Sequence, residues 1–314
     1  MRRIIGVTAV LLTAAVIFSL LSCGTEPQGA DGKSVSFKDD LGRQVELSMS
    51  DRVAACHASF ADCWLLAGGT LTAATTDAVE DHGLNVGNAA IVGTAKTVSA
   101  ELLVASGATV ALLSADLAAH LQLEAAISAL GIRCIYFRVD DFEDYAYVME
   151  RLCAVTGRSE LYLENVTAVR ERIDALREKL PSGEGKSVLL MRAYSSGIKA
   201  KSDDNIAGVI LKELGARNIA DEQPSLLEDI SLEYVVQRDP DLILVLTMGS
   251  EEAALGYLRE NLENNPAFSG LSAVRNGCYR VLPKELFHYK PNENWDESYE
   301  YIAEILYPES LGNG

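Results

Sequence analysis

The sequence lacks an excess of positive charge, and it also lacks the common catalytic motifs. Its 27 Lys and Arg residues are outnumbered by 45 Asp and Glu residues, and the formal net charge is -18. No run of basic residues offers the positive face that nucleic-acid binding requires, so we expect no nucleic-acid partner. The chain contains no nucleophile elbow, Walker loop, His-Glu-x-x-His zinc motif or glycine-rich dinucleotide fingerprint. We therefore predict that the protein is not an enzyme, and a surface hydrolase is kept as an alternative.

Histidine and cysteine are too sparse to indicate a metal cluster. The four histidines form no His-rich loop, and they are His57, His82, His120 and His288. His120 is predicted to be a surface residue of a helix, and His82 a solvated residue of an acidic loop. The six cysteines include no Cys-x-x-Cys pair, so a structural zinc site has little support. We expect no resident metal or cofactor, and a protein that binds a bare metal ion is kept as an alternative.

The amino terminus has the pattern of an export signal. Met1-Arg2-Arg3 precedes an apolar run from Ile4 to Leu21, which is the charge and hydropathy order of a secretory signal peptide. The run ends in Leu20-Leu21-Ser22-Cys23, which resembles a bacterial lipobox, and a simple anchor helix is the alternative. We predict a signal peptide over residues 1–22, lipidation at Cys23, and a tether over residues 23–33. The protein is then expected outside the cytoplasm, held to the cell membrane through its lipid.

Two short stretches of the chain share one pattern. Ser99-x-Glu101 opens a short apolar helix that leads to the buried strand Val110–Leu113, and Ser231-x-Glu233 does the same before Leu242–Leu246. A serine N-cap with an acid in the first turn is a helix-start signal, so capping alone explains both glutamates. Because the second copy aligns with the first without a gap, the sequence also predicts an internal repeat of two α/β lobes.

Strand and helix patterns alternate through both halves of the chain. This alternation predicts mostly parallel sheets that are covered on both faces by helices. Apolar residues from Tyr162 to Leu180 recur at steps of three and four, which predicts a long helix over about 159–180. The expected fold is therefore two α/β lobes joined by a long rigid helix, with a ligand cleft between the lobes. The predicted boundaries are 34–157 for the first lobe, 158–181 for the connecting helix and 186–314 for the second lobe. Within the lobes, residues 76–90 and 192–204 are each predicted to form a loop.

Several stretches together resemble a known family, the ABC-importer substrate-binding proteins that capture ferric siderophores, haem or cobalamin. The resemblance covers about residues 35 to 308, and it depends on the order and spacing of the stretches more than on any single one. They are Phe37–Leu47, Asp51–Gly68, Val92-Gly93-Thr94 before Ser99-x-Glu101, Leu130-Gly-Ile132, Leu152–Gly157, Ser231-x-Glu233 through Asp239-Pro-Asp-Leu-Ile, and Val274-Arg-Asn-Gly277 through Val281-Leu-Pro283.

The resemblance implies partners and a binding site. An ABC permease and its ATPase would be the partners, with Glu101 and Glu233 meeting arginines on the permease. The ligand would lie in the cleft, at the ends of the strands and the loops that follow them. The residues expected to contact it are His57, Ser59, Phe60, Arg192, Tyr194, Ser195, Met248, His288, Tyr289 and Lys290.

The sequence leaves the ligand itself open. His57 and His288 could supply axial ligands to haem iron or cobalamin cobalt, or they could only hydrogen-bond a polar chelate. Arginine and aromatic residues could hold a ferric siderophore, and the stretch Arg192–Gly197 could bind a small oxyanion such as molybdate. An adhesin or structural lipoprotein on the same fold is a further alternative.

Overall fold

The computed structural model describes residues 34–181, 185–228 and 230–311. The predicted signal peptide, the lipidated Cys23 and the tether lie outside these residues. None of the helices in the described ranges is long and apolar enough to cross a membrane.

The first lobe is built around a parallel sheet. A β-hairpin precedes it, formed by β1 and β2, which pair antiparallel. The sheet has the order β5-β4-β3-β6-β7, and all its pairings are parallel. The strands are β1 Ser34–Lys38, β2 Gln44–Ser48, β3 Val53–Ala55, β4 Leu71–Ala74, β5 Ala90–Ile91, β6 Val110–Ser114 and β7 Arg133–Phe137. The helices are α1 Ala58–Leu66, α2 Thr76–Glu80, α3 Ala100–Ala105, α4 Ala118–Ala129 and α5 Phe142–Thr156.

The two central strands of this sheet show why it forms. Every residue of β3 and β6 is buried, so these strands are apolar without the alternation of a half-exposed sheet. Such continuous burial requires helices on both faces, and the α/β alternation of the chain supplies them. The prediction of a loop over residues 76–90 is wrong at both ends of that range, because the range begins with α2 and ends at the first residue of β5. The Asp77 carboxylate accepts hydrogen bonds from Thr75 Oγ1 at 3.2 Å and from the Ala95 amide at 2.9 Å, which stabilises this folded segment.

The connector between the lobes is one continuous helical segment. It consists of α6 Ser159–Tyr162, a π-helical turn Leu163–Thr167 and α7 Ala168–Glu178. At ~1.5 Å per residue this segment spans about 30 Å. Its buried face carries Val166, Val169 and Ile173, as the periodicity predicts.

The second lobe repeats the plan of the first. Its parallel sheet has the order β10-β8-β11-β12, and β9 pairs antiparallel with β8. The strands are β8 Ser187–Tyr194, β9 Gly197–Ala200, β10 Arg217–Asn218, β11 Leu242–Thr247 and β12 Tyr279–Val281. The helices are α8 Ile206–Glu213, α9 Ile219–Glu222, α10 Leu232–Arg238, α11 Glu251–Leu258, α12 Pro266–Ser269, α13 Ser272–Arg275, α14 Lys284–Phe287, α15 Trp295–Leu306 and α16 Pro308–Leu311. The remaining turns are 3₁₀-helical over Pro224–Leu227 and Asn292–Asn294, and π-helical over Arg259–Glu263.

The loop predicted over 192–204 is instead largely a hairpin. β8 continues to Tyr194 and returns as β9, with Met191 opposite Ala200 and Arg192 opposite Lys199. The buried Ala193 and Ala200 stabilise this extension because they pack into the core of the lobe. Arg192 and Tyr194 therefore lie on a strand rather than on a flexible loop.

One hydrophobic core joins the two lobes through the connector. It runs from Phe37 and Trp64 of the first lobe, past Ile173 of α7, to Trp295 and Ile302 of α15. The last long helix of the chain thus packs against the connecting helix, with Arg172 of α7 paired to Asp296 of α15. This packing stiffens the connection, so large lobe movements are not expected.

Candidate ligand-binding cleft

The segment from His288 to Asn292 links the second lobe to the first. The Tyr289 ring lies against the His82 ring, with their centroids 4.4 Å apart. Lys290 Nζ donates to the Val139 carbonyl and lies 3.8 Å from Asp140 Oδ1. Sequence reasoning places His82 in solvent, but it is half-buried against Tyr289. The prediction fails because this contact depends on how the lobes pack.

His57 begins helix α1 and faces several titratable groups. Its Nδ1 accepts from the Ser59 amide at 3.3 Å, so the imidazole itself caps the helix. Burial, followed by the neighbouring His120 and Lys290, lowers the pKa of His57 to about 4. The ring is therefore neutral at pH 7, and its Nε2 has no protein partner among the described residues.

His120 is buried, which corrects its prediction as a surface residue. It is 1% exposed, and its Nδ1 accepts from the Ser114 amide at 2.8 Å. Burial lowers the pKa of this histidine, and its ring lies 6.5 Å from that of His57. The spacing to Ile127 could have revealed this position, because residues seven apart share one face of a helix and Ile127 is fully buried.

The charges of three cations act on His288. Burial, followed by the charges of Lys284, Arg192 and Lys96, lowers the pKa of His288 to about 4. Lys96 belongs to the first lobe, whereas the other members belong to the second. We call the cations Lys96, Arg192 and Lys284, together with the neutral His288 on which their charges act, the basic cluster.

Arg192 lacks a protein partner for part of its guanidinium. Its Nε is buried without a hydrogen bond within the described ranges. Asp204 forms its ion pair with Lys201. Burial opposes the lowering of the Asp204 pKa, which comes from hydrogen bonds with Lys201 and Asn205 and, to a smaller extent, from the charges of Lys201 and Arg192. Lys284 Nζ donates to the Gly249 carbonyl at 2.6 Å, and no carboxylate is paired with it in the described part of the chain. A buried N–H donor without an acceptor is unfavourable, so an anion that accepts a hydrogen bond from Arg192 Nε in this cleft would be stabilising.

The other predicted contact residues differ in exposure. Tyr194, Met248, His288, Tyr289 and Lys290 are half-buried, and Ser195 is exposed at the hairpin turn. Lys290 has its ammonium tied to Val139 and Asp140, and burial lowers its pKa.

Ser59 and Phe60, which the sequence predicts as contact residues, are both buried in this structure. Each is 1% exposed, and the Phe60 ring packs 5.6 Å from that of Phe137 in the core. Helix α1 begins at Ala58, so the first turn already directs Ser59 and Phe60 inward. His57, just before the helix, is half-buried and is the most accessible of the three.

Comparison with known proteins identifies the chain. The family model described as periplasmic binding protein matches residues 53–286, which is most of the sequence. The chain belongs to the periplasmic binding protein family. Its members are binding proteins rather than enzymes, and they act outside the cytoplasm.

Individual relatives of this periplasmic binding protein are distant in sequence. An Fe(3+)-citrate-binding protein of Bacillus subtilis is 22% identical over 286 residues, which cover 88% of each chain. The structure of a triscatecholate siderophore binding protein from Bacillus subtilis, complexed with ferri-bacillibactin, superimposes with a TM-score of 0.67 and 18% identity, covering 88% of this chain and 100% of the other. A periplasmic heme binding protein from Pseudomonas aeruginosa gives a TM-score of 0.66 and 19% identity, covering 82% and 93%. The two-lobed α/β fold predicted from the sequence is confirmed.

The two repeated glutamates of this binding protein are exposed and form no ion pair in the described residues. The caps of their helices are made by serines, because Ser99 Oγ accepts from the Leu102 amide at 3.2 Å and Ser231 Oγ accepts from the Tyr234 amide at 3.3 Å. Glu101 and Glu233 are therefore not needed as capping acceptors, and their carboxylates are available to a partner.

A polar junction joins the lobes near the base of this binding protein's cleft. Asn292, at a φ of 50°, donates from Nδ2 to the Ser59 carbonyl at 3.1 Å and to Asp62 Oδ2 at 2.6 Å. Beside it, Glu293 Oε2 is buried without a hydrogen-bond partner in the described ranges. Burial, together with the charge of Asp62, raises the pKa of Glu293 to about 7.

Glu293→Gln is expected to stabilise the protein at alkaline pH. The raised pKa of Glu293 means that its contribution to stability is present below pH 4.5 and is lost as the pH rises through about 7. At pH 8 the free energy of unfolding of the variant should exceed that of the wild type by about 1–3 kcal/mol. Thermal unfolding at pH 4.5 and pH 8 checks this. Glu300→Gln, an exposed change on α15, is the control, and an equal gain at both pH values would contradict the assignment.

The described residues show no clustering of metal-binding side chains. No group of three or more His, Cys, Asp or Glu residues in the described ranges could hold a metal ion. The five cysteines of the described chain, Cys56, Cys63, Cys134, Cys153 and Cys278, are free thiols.

Proposed function

We propose that this protein captures an anionic ferric chelate outside the cytoplasm and delivers it to an ABC importer. The observation that carries the proposal is the buried Nε of Arg192, which has no hydrogen-bond partner in the described ranges; the charges of Arg192, Lys284 and the first lobe's Lys96 all act on the neighbouring His288. In a chain of net charge -18, the three cations Lys96, Arg192 and Lys284 would attract an anionic ligand to the proposed cleft.

The chemistry of the cleft favours a chelate with several negative charges. Ferric complexes of hydroxycarboxylates or catecholates carry negative charge on oxygens at their surface, and arginine recognises such oxygens in bidentate fashion. Binding would provide the hydrogen-bond acceptor that Arg192 Nε lacks among the described residues. The neutral His57 and the half-buried Tyr194 and Tyr289 would supply hydrogen bonds and ring contacts. The names of the Bacillus subtilis relatives, which concern ferric citrate and a ferric triscatecholate, agree with this ligand class.

Haem is the second candidate, and one observation favours it. His57 and His288 both have a pKa lowered to about 4, so both imidazoles are neutral at pH 7, as iron ligation requires. A corrinoid or a small oxyanion would also use the same cleft.

We also propose how the protein is held and where it docks. Lipidation at Cys23 would anchor the chain to the cell membrane through residues 23–33. The exposed Glu101 and Glu233 would meet positive sites on a permease, one on each of its two halves, and the permease would work with an ATPase.

A ligand panel tests the proposal. The purified chain is titrated with ferric citrate, a ferric triscatecholate, a ferric trihydroxamate, cyanocobalamin, haemin, molybdate and Zn²⁺, with thermal unfolding and absorbance as readouts. Stabilisation by the anionic ferric chelates is the expected result. A Soret shift with haemin that is lost in His288→Ala, without a response to the anionic chelates, would transfer the assignment to haem.

Ferric citrate binding is expected to be accompanied by proton uptake at His288. A bound anion raises the pKa of this histidine from about 4, so the affinity of the wild type relative to His288→Gln should increase as the pH falls from 7 towards 5. Calorimetry in two buffers of different ionisation enthalpy counts the protons taken up. If His288 were an axial ligand of iron, the affinity of the wild type relative to His288→Gln would instead decrease as the pH falls, because a proton would compete with the metal for the imidazole. Equal proton uptake by wild type and variant would contradict the role of His288.

A further inference from the structure

The two helices of the internal repeat present matching exposed valines. Val104 lies three residues after Glu101 on α3, and Val236 lies three residues after Glu233 on α10. The exposed fractions of the two valines are 43% and 41%. Residues three apart on a helix share one face, so each carboxylate has an apolar neighbour beside it.

The match extends to the buried side of both helices. Leu103 and Val235 occupy equivalent positions of the repeat, and they are 0% and 1% exposed. Ser99 and Ser231 make equivalent caps to the third amide of each helix. The two helices therefore pack on their lobes in the same orientation, and each exposes a glutamate and a valine at equivalent positions.

We infer that Val104 and Val236 form the apolar part of a docking surface for a membrane permease with two equivalent halves. The inference rests on the proposed function and deepens it. A surface repeated once in each lobe suits a partner that offers the same pocket twice, with a positive site for the carboxylate and an apolar rim for the valine. A second copy of this chain is a poor occupant, because it would bring glutamates against glutamates in a protein of net charge -18.

Apolar contacts beside the carboxylates have a distinct role. Exposed ion pairs in water orient a complex more than they strengthen it, and they weaken with salt. Removal of two valines from water adds affinity that salt does not screen. The valines would hold the complex while the glutamates set its register.

Site-specific photocrosslinking in cells tests the inference. p-Benzoylphenylalanine is placed at position 104 or 236 of the full chain, and position 163 serves as the control because Leu163 is 60% exposed on the connecting helix. After irradiation, positions 104 and 236 are expected to form adducts with the same polytopic membrane protein, whereas position 163 forms none. Adducts with a second copy of this chain, or with two different proteins, would overturn the inference.

A pair of serine substitutions provides the second measurement. Val104→Ser with Val236→Ser should lower uptake of iron from ferric citrate by about tenfold and leave the affinity for ferric citrate unchanged. Val79→Ser, an exposed valine on α2 at 39%, is the matched control. Normal uptake by the valine pair, combined with lost uptake on reversal of Glu101 and Glu233, would refute the apolar contact and leave the docking proposal standing. Normal uptake by both pairs would refute the docking proposal itself.

Discussion

Arg192→Ala is expected to weaken the binding of ferric citrate by about 100-fold. Removal of one partner of a desolvated charge pair costs about 2–5 kcal/mol, and the half-buried Arg192, with its unpartnered Nε, is the cation in the cleft that most requires an anion. Calorimetric titration measures the change. Arg192→Lys should retain part of the affinity, because the ammonium keeps the charge but not the planar fork of donors.

Arg217→Ala is the matched control for this loss. Arg217 lies on β10 of the same sheet, its side chain is 55% exposed, and it is 3.9 Å from Glu222. An equal loss in both alanine variants would mean that net charge, rather than the basic cluster, determines affinity. Full affinity in Arg192→Ala would remove this residue from the site.

Simultaneous reversal of Glu101 and Glu233 to lysine is expected to abolish uptake without changing the affinity for the ligand. Both side chains are exposed and lack ion pairs in the described residues, and their helices are capped by serines, so the substitutions should not unfold the protein. A lysine at either position would face a positive site on the permease. Such a juxtaposition of like charges opposes docking by several kcal/mol. Uptake of radioactive iron and calorimetric titration are the two measurements.

The chain offers a close control for this double reversal. Glu252 occupies the same position in a third Ser-x-Glu start, where Ser250 Oγ accepts from the Ala253 amide at 3.3 Å. Glu252→Lys should leave uptake unchanged, because α11 lies outside the repeated pair of helices. If the double variant still imports iron at the wild-type rate, the docking role is wrong.

Elements with a strong apolar pattern could be predicted closely from the sequence. The strands Val110–Ser114 and Leu242–Thr247 and the connecting helical segment over 159–178 end within two residues of their predicted positions. The reason is local, since a continuous apolar run or a helical periodicity determines each of these elements without reference to distant residues. The repeat of the Ser-x-Glu helices was visible for the same reason.

Features that depend on contacts between distant residues could not be predicted. The contact of His82 with Tyr289 and the inward direction of Phe60 follow from how helices and lobes pack, which no local pattern records. The basic cluster is a similar case, because Lys96 joins Arg192 and His288 only when the two lobes are assembled. The sequence alone identified Arg192 and His288 as separate candidates and missed Lys96, an exposed lysine without a distinctive neighbourhood.

Titration of one preparation with ferric chelates of different charge shows whether the protein selects an anionic ligand. Calorimetry at pH 7 and constant ionic strength compares a ferric triscatecholate and ferric citrate with a neutral ferric trihydroxamate. We expect at least one anionic chelate to bind about 100-fold or more tightly than the neutral one, and we expect this difference to shrink in Arg192→Ala. Equal affinity for the neutral and anionic chelates, or binding of haemin alone, would contradict this expectation.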